Sequence, residues 1–273
     1  MAIITIARGL ATLGEDVAKE LGSITGYRLI DREYIEDRLG EFGISADKRQ
    51  KYDEKKPGFW ASLSQERDDY LHFLKTALFE EAADGDCVII GRGGQAIFRS
   101  VPSLVSVLLV SPQDVRVERI MHFYKCDERH AVQIIEQSDH DRSGFHRYFF
   151  SSEWRDPTEY DVSLNTARCD IAQAAALIDA TRRARVDSAR DAEGRRRIAE
   201  LLLGQRVVTE IIYGKKVPVH FLEASAQGGR IVLHGVSNTQ SAIDAAVAAA
   251  RTVPGVESVE SAIQVVQEFT VMP

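Results

Sequence analysis

Cysteine is scarce in this chain. Three stand at 87, 126 and 169 of 273 residues, far apart and with no C-x-x-C pair. So sparse and odd a set argues against a disulfide framework or a zinc site and suits reduced thiols in the cytoplasm. Excess positive charge is missing too. A net charge of −7 speaks against a general nucleic-acid binder. No apolar run reaches the length needed to span a bilayer. Arg8 ends the N-terminal apolar stretch after a few residues, so the start of the chain does not read as a signal peptide. The hydrophobic share of 44% and charged share of 27% are those of an ordinary globular protein. The length allows one large domain or two smaller ones.

Apolar runs and helical patterns alternate along the first two thirds. Residues 3–7, 27–31, the run "CVIIGRG" from Cys87, 104–110 and 161–166 read as strands. Residues 14–22, 32–43, 66–83, 111–124 and 170–186 read as helices, and 127–150 as one or two more. Tyr70, Phe73, Leu74, Ala77 and Leu78 share one face of the 66–83 helix. Residues 45–66, with Pro57 and Gly58, read as a mobile or partly helical excursion. Near-continuous apolar strands separated by helices predict a parallel sheet covered on both faces. Seven arginines between Arg182 and Arg197 read as a solvated helix face and a linker. Beyond them a helix, a hairpin, an alanine-rich helix over 238–251 and a last strand "SAIQVVQEF" form a separate small α+β module. The expected division is 1–185, a linker over 186–192, and 193–273.

The stretch "ITIARGLATLGEDVAKEL" (4–21) joins a strand to a helix, with Gly9 and Gly14 at the G-x-x-x-x-G spacing of a phosphate loop. Such a loop binds anions because free N–H groups at the helix start face them. It normally continues with Lys and a hydroxyl residue; here Glu15 and Asp16 follow. Thr12-x-x-Glu15 also fits a capping box, and acids in a first turn complement the helix dipole. The stretch alone fits a degenerate phosphate loop and a plain helix start equally well.

Arginines elsewhere shift the balance. Arg92 follows a buried strand, where sheet C-termini form ligand sites. Arg116 and Arg119 lie at i, i+3 on one helix face. Asp139, Arg142 and Arg147 are spaced to share a helical face or a lid. Guanidinium forks match phosphate oxygens, so the set points to phosphate binding.

The ordered segments "IITIARGLATLGEDVAKEL", "YRLIDREYIE", "CVIIGRGGQAIF", "VLLVSPQDVRVERIM" and "WRDPTEYDVSLNTARCDIAQAAALI" resemble the cytidylate kinase-like family, a bacterial and archaeal branch of the P-loop nucleoside monophosphate kinases. The resemblance spans about residues 1–185. It implies a three-layer α/β/α fold of P-loop kinase type, with ATP and Mg²⁺ as cofactors and transfer of phosphate to a nucleoside monophosphate such as CMP. ATP would lie over residues 8–16, on Arg8, Gly9, Thr12, Gly14 and Asp16, with Arg116 and Arg119 beside it. The tract 31–75 would cover the acceptor, with Asp31 and Arg32 at its mouth and Arg92 near its phosphate. Arg142 and Arg147 would be the catalytic lid cations, and Asp161 structural. No resident metal-ligand set is implied.

In that family the loop typically reads S-R-E-F-G-S-G-G-R-E-I-A, with a cation where this chain has Glu15. The departure leaves an alternative, a catalytically inactive kinase-like sensor or scaffold. "GGRIVLHGVSNTQSAIDAAVAAARTVPGVESVESAIQVV" resembles a BON domain, with Gly235, Gly255 and Val256 among the matching residues. That resemblance implies binding of a small ligand or phospholipid, regulation or homo-oligomer formation rather than catalysis. The other expected partner is a nucleotide; nucleic acid and a membrane span are not expected.

Overall fold

The computed structural model describes residues 1–51 and 64–266. They divide into two compact units, Met1–Gly194 and Arg195–Pro273.

The first unit is built on strands β1 (Ile3–Arg8), β2 (Arg28–Ile30), β3 (Cys87–Ile90), β4 (Leu104–Val110) and β5 (Val162–Asn165). All pairings are parallel, in the order β2-β3-β1-β4-β5. Its helices are α1 (Gly14–Thr25), α2 (Arg32–Glu41), α3 (Ala46–Lys51), α4 (Ser64–Ala83), α5 (Gly94–Ile97), α6 (Gln113–Tyr124), α7 (Glu128–Phe150) and α8 (Ile171–Arg185). The central strand β1 is buried along its whole length, which is why it lacks the polar alternation of a half-exposed strand. Ile4, Ile6, Val88, Val105, Val107 and Leu109 pack with Val17, Ala18 and Leu21 of α1 and Ala174, Ala175 and Ile178 of α8. On the opposite face α5 lies close to Thr5 and Ile89, and Phe79 of α4 meets Phe98 edge-on at 5.5 Å. The expected three-layer architecture is therefore the observed one.

The second unit holds most of α9 (Ser188–Val208), a π-helical turn Thr209–Gly214, β6 (His220–Gln227), β7 (Arg230–Ser237), α10 (Gln240–Ala250) and β8 (Ser258–Val265). β6 and β7 form the expected antiparallel hairpin, and β8 returns parallel to β7. Val207, Ile211, Ile231, Leu233, Ala246 and Ile263 centre its core.

Several local expectations change. The chain divides inside α9, and the 186–192 stretch is non-helical only at Val186 and Asp187. The arginine run is mostly exposed, as expected, but it also makes contacts: Arg182 and Arg183 pair with Asp179, and Arg185 reaches Asp161 at 2.9 Å and the Leu104 carbonyl at 3.1 Å. Residues 127–150 form one helix, begun by Asp127. Of the 45–66 excursion, 46–51 and 64–66 are helical; Pro57 and Gly58 lie outside the described residues, as does the end of "SAIQVVQEF". Among the described residues no helix is long and apolar enough to cross a membrane, and no cluster of His, Cys, Asp and Glu forms a metal site.

Candidate functional site

β1 is the middle strand, and the chain leaves its C-terminal end through residues 9–13 into α1. Ala11 and Leu13 both have left-handed backbones, at φ 61° and 59°. Leu13 is the N-cap of α1, and its side chain makes no capping hydrogen bond. A left-handed residue followed by a helical one turns successive N–H groups to the same side, a geometry suited to an anion. The capping box expected at Thr12 and Glu15 does not form. Thr12 lies one residue too early, and its hydroxyl donates to the Gly9 carbonyl at 2.9 Å. A complete capping box occurs instead at α8, between Asp170 and Gln173.

Glu15 turns to Arg8. Its Oε1 accepts from Nε and Nη2 of Arg8, each at 3.3 Å. Burial pushes the Glu15 carboxyl up. The Arg8 guanidinium, the residue's own N–H and Arg142 outweigh that and hold it below the usual carboxylate value. Arg8 is buried, and its side chain passes so close to Gly14 that a β-carbon there would stand 2.6 Å from Arg8 Cγ. Asp16, in the first turn of α1, is exposed.

Arg116 and Arg119 grip the loop by its carbonyls. Arg116 Nε donates to Leu10 O at 2.8 Å, and its two Nη atoms donate to Asp139 at 2.9 Å each. Arg119 Nη1 donates to Ala11 O at 2.9 Å, and Nη2 to Thr166 O at 2.7 Å. A β-carbon on Gly9 would stand 3.3 Å from Arg116 Cζ. The pair shares a helix face as the spacing requires, but its donors engage the loop's backbone. Asp139 also accepts from Arg155.

Helix α7 separates the two lid arginines. Arg142 is buried, with Nη1 on the Ser138 hydroxyl at 2.6 Å, and acts on the Glu15 carboxyl. Arg147, five residues on, lies about 140° further round the helix. Its side chain is 69% exposed and pairs with Glu153 at 2.9 Å. The two therefore do not share a face, contrary to the expectation from sequence.

A second cluster forms at the end of β3. Gly91, Arg92 and Gly93 all have positive φ, at 72°, 53° and 68°. This bend sends Arg92 into the interior, where it is 2% exposed. Nη1 donates to Tyr70 Oη at 3.1 Å and Nη2 to Glu36 Oε1 at 3.0 Å. Arg32 Nε donates to that same Glu36 oxygen at 2.6 Å. Arg49 reaches the Glu36 carbonyl. Asp31 caps α2, accepting from the Tyr34 N–H at 3.0 Å. Sequence reading singled out Asp31, Arg32 and Arg92; it missed Glu36 and Arg49, and placed Tyr70 only on one face of the 66–83 helix. Asp161, expected to be structural, accepts from the N–H and hydroxyl of Ser106 at 2.8 and 3.0 Å and ties β5 to β4.

The model of the cytidylate kinase-like family matches residues 3–168, more than half of the chain. The chain belongs to this family. Within it, the match spans the loop, the Arg92 cluster and α7, and ends after β5. A BON domain model matches residues 200–267, in the second unit. No curated protein matches the chain. Among solved structures, an uncharacterized protein from Eubacterium ventriosum has 20% identity and a TM-score of 0.53, covering 68% of this chain and 100% of its own. That likeness supports the fold alone. A shikimate kinase from Bacteroides thetaiotaomicron (16% identity, TM-score 0.38, covering 67% and 97%) and a gluconokinase from Sinorhizobium meliloti (16%, 0.41, 67% and 93%) are more distant.

Proposed function

We propose that the first unit binds ATP and transfers its terminal phosphate to a nucleoside monophosphate such as CMP. The observation that carries this reading is the loop after β1. It has an α1 N-terminus with no side-chain cap, a left-handed Leu13, and the buried cation Arg8 folded over Gly14. Phosphoryl transfer depends chiefly on positioning and charge stabilisation, and these residues fit a polyphosphate. Arg8 and Arg142 supply positive charge where the loop has no lysine. Asp16, exposed in the first turn of α1, is the carboxylate we assign to Mg²⁺, which would neutralise phosphate oxygens when bound. Arg116 and Arg119 hold the loop in shape. At the acceptor side Arg92 and Arg32 meet on the Glu36 carboxylate and Arg49 reaches its carbonyl, a set of guanidinium groups suited to a phosphomonoester. Arg147, paired on the outer face, takes no part in this arrangement without a movement of α7.

The test is direct. Purified protein with ATP, Mg²⁺ and a panel of nucleoside monophosphates should form diphosphates. No turnover across the panel would remove the transferase reading. A second reading, a nucleotide sensor without catalysis, is favoured by Glu15 and predicts Mg²⁺-dependent ATP binding in calorimetry with no turnover. For the second unit we propose ligand binding or self-association through the BON domain. Deletion from Arg195 onward should then alter the solution mass or abolish phospholipid-vesicle binding. The free cysteines, with the Cys87 thiol pushed up to about 12 by burial, fit a cytoplasmic setting.

A further inference from the structure

Arg8 and Glu15 form an unequal pair. The arginine is fixed: it ends the central strand, its side chain is 6% exposed, and Gly14 is moulded to it. The glutamate is removable: its side chain is 61% exposed and stands in the first turn of α1. Both hydrogen bonds between them run to one carboxylate oxygen at 3.3 Å, long for a charge-assisted contact. A buried cation in long contact with a solvent-facing acid is a site where that acid can be exchanged for another anion.

We infer that Glu15 is a resident substitute for a phosphate group, neutralising Arg8 in the empty loop and giving it up to an incoming polyphosphate. This rests on the reading of residues 8–16 as a phosphate loop. The exchange makes the loop selective for ligand charge. A small anion such as orthophosphate, with one to two charges, takes the place of the carboxylate on Arg8 alone and gains little. A tripolyphosphate chain brings several charges, engages Arg8 and the α1 N–H groups together, and displaces the carboxylate into solvent. Glu15 thereby filters triphosphates from orthophosphate at the loop.

The experiment titrates the full chain and Glu15→Gln with inorganic tripolyphosphate and with orthophosphate by calorimetry. Wild type should bind tripolyphosphate and not orthophosphate. Glu15→Gln should bind tripolyphosphate at least about tenfold more tightly, the effect of a near-surface charge of ordinary strength. It should also acquire orthophosphate binding. Equal tripolyphosphate affinity in the two proteins would overturn the role of Glu15 and leave the phosphate-loop reading intact. No binding by either would overturn both. A second measurement needs no variant. On the unaltered chain, the Glu15 side-chain carboxyl ¹³C resonance should titrate at higher pH once tripolyphosphate is bound. A titration midpoint unmoved by bound tripolyphosphate refutes the exchange.

Discussion

Arg116 and Asp139 face each other through two parallel hydrogen bonds of 2.9 Å, and the third donor of the same guanidinium holds the Leu10 carbonyl. One side chain therefore connects the loop after β1 to α7, the helix that carries Arg142.

Breaking this link should be expensive, because both side chains are largely buried. Asp139→Asn removes the carboxylate from Arg116 and also from Arg155. A loss of about 3 kcal/mol is expected, in the range for breaking one half of a buried pair. Urea unfolding of the single variant and of Arg116→Met/Asp139→Leu checks it. The double variant should lose less than the sum of the two single ones.

Gly14→Ala should uncouple folding from nucleotide binding. The added β-carbon meets Arg8 Cγ at 2.6 Å and forces that side chain aside. Overpacking of this kind costs about 1–3 kcal/mol. ATP affinity should fall well beyond what that stability loss explains. Calorimetry on material shown to be folded by circular dichroism separates the two effects. Unchanged affinity would remove Arg8 from the binding site.

Glu36→Gln leaves the Arg92 guanidinium buried without its carboxylate. A destabilisation of about 3 kcal/mol is expected on the same grounds as above. A phosphomonoester in the acceptor site should restore part of it. CMP should therefore raise Tm more in Glu36→Gln than in wild type. An equal rise in both would argue that no acceptor phosphate comes near Arg92.

His72 gives the protein an acid-side weakness. Burial lowers its pKa from 6.5 to about 4, with Lys75 adding to the effect. Between those values the unfolded chain binds a proton that the folded one refuses, so stability rises with pH in that window. Moving from pH 7 through 6.5 towards 4 should remove roughly 3 kcal/mol from this group alone. Denaturant unfolding at pH 7 and pH 5 should show the fall. His72→Gln should be less stable at pH 7 and show a flatter pH dependence.

The layers of the fold were legible because the central strands β1, β3 and β4 are short apolar runs and several helices have a start signal of their own. Asp127 and Asp170 begin helices as their sequence context says. Side-chain partners were less legible, for physical reasons. Thr12-x-x-Glu15 and Asp170-x-x-Gln173 carry the same local pattern, yet only the second caps a helix. The Glu15 carboxylate is held by a buried arginine seven residues away and by the residue's own N–H, and no bond reaches back to Thr12. Spacing placed Arg116 and Arg119 on one face but could not say whether they meet a phosphate or a carbonyl. Arg142 and Arg147 were read as spaced to share a helical face or a lid, although five residues is not a helical repeat. Glu36 and Tyr70 meet Arg92 from 56 and 22 positions away, contacts that no local pattern encodes.

The bend Gly91-Arg92-Gly93 has a bearing on how this protein tolerates change. Its charged member could be exchanged for lysine with the chain path intact, but its spacers could not be exchanged so freely. At Gly93 even a methyl group would fall 2.0 Å from the Phe150 ring, on a backbone with φ of 68°. In a library of single variants selected only for folding, position 93 should stay glycine, and position 92 should change only where Glu36 changes with it, because a buried pair broken on one side is costly and one replaced whole by apolar residues is not. A descendant that had exchanged both partners would still carry the turn as a mould of the arginine.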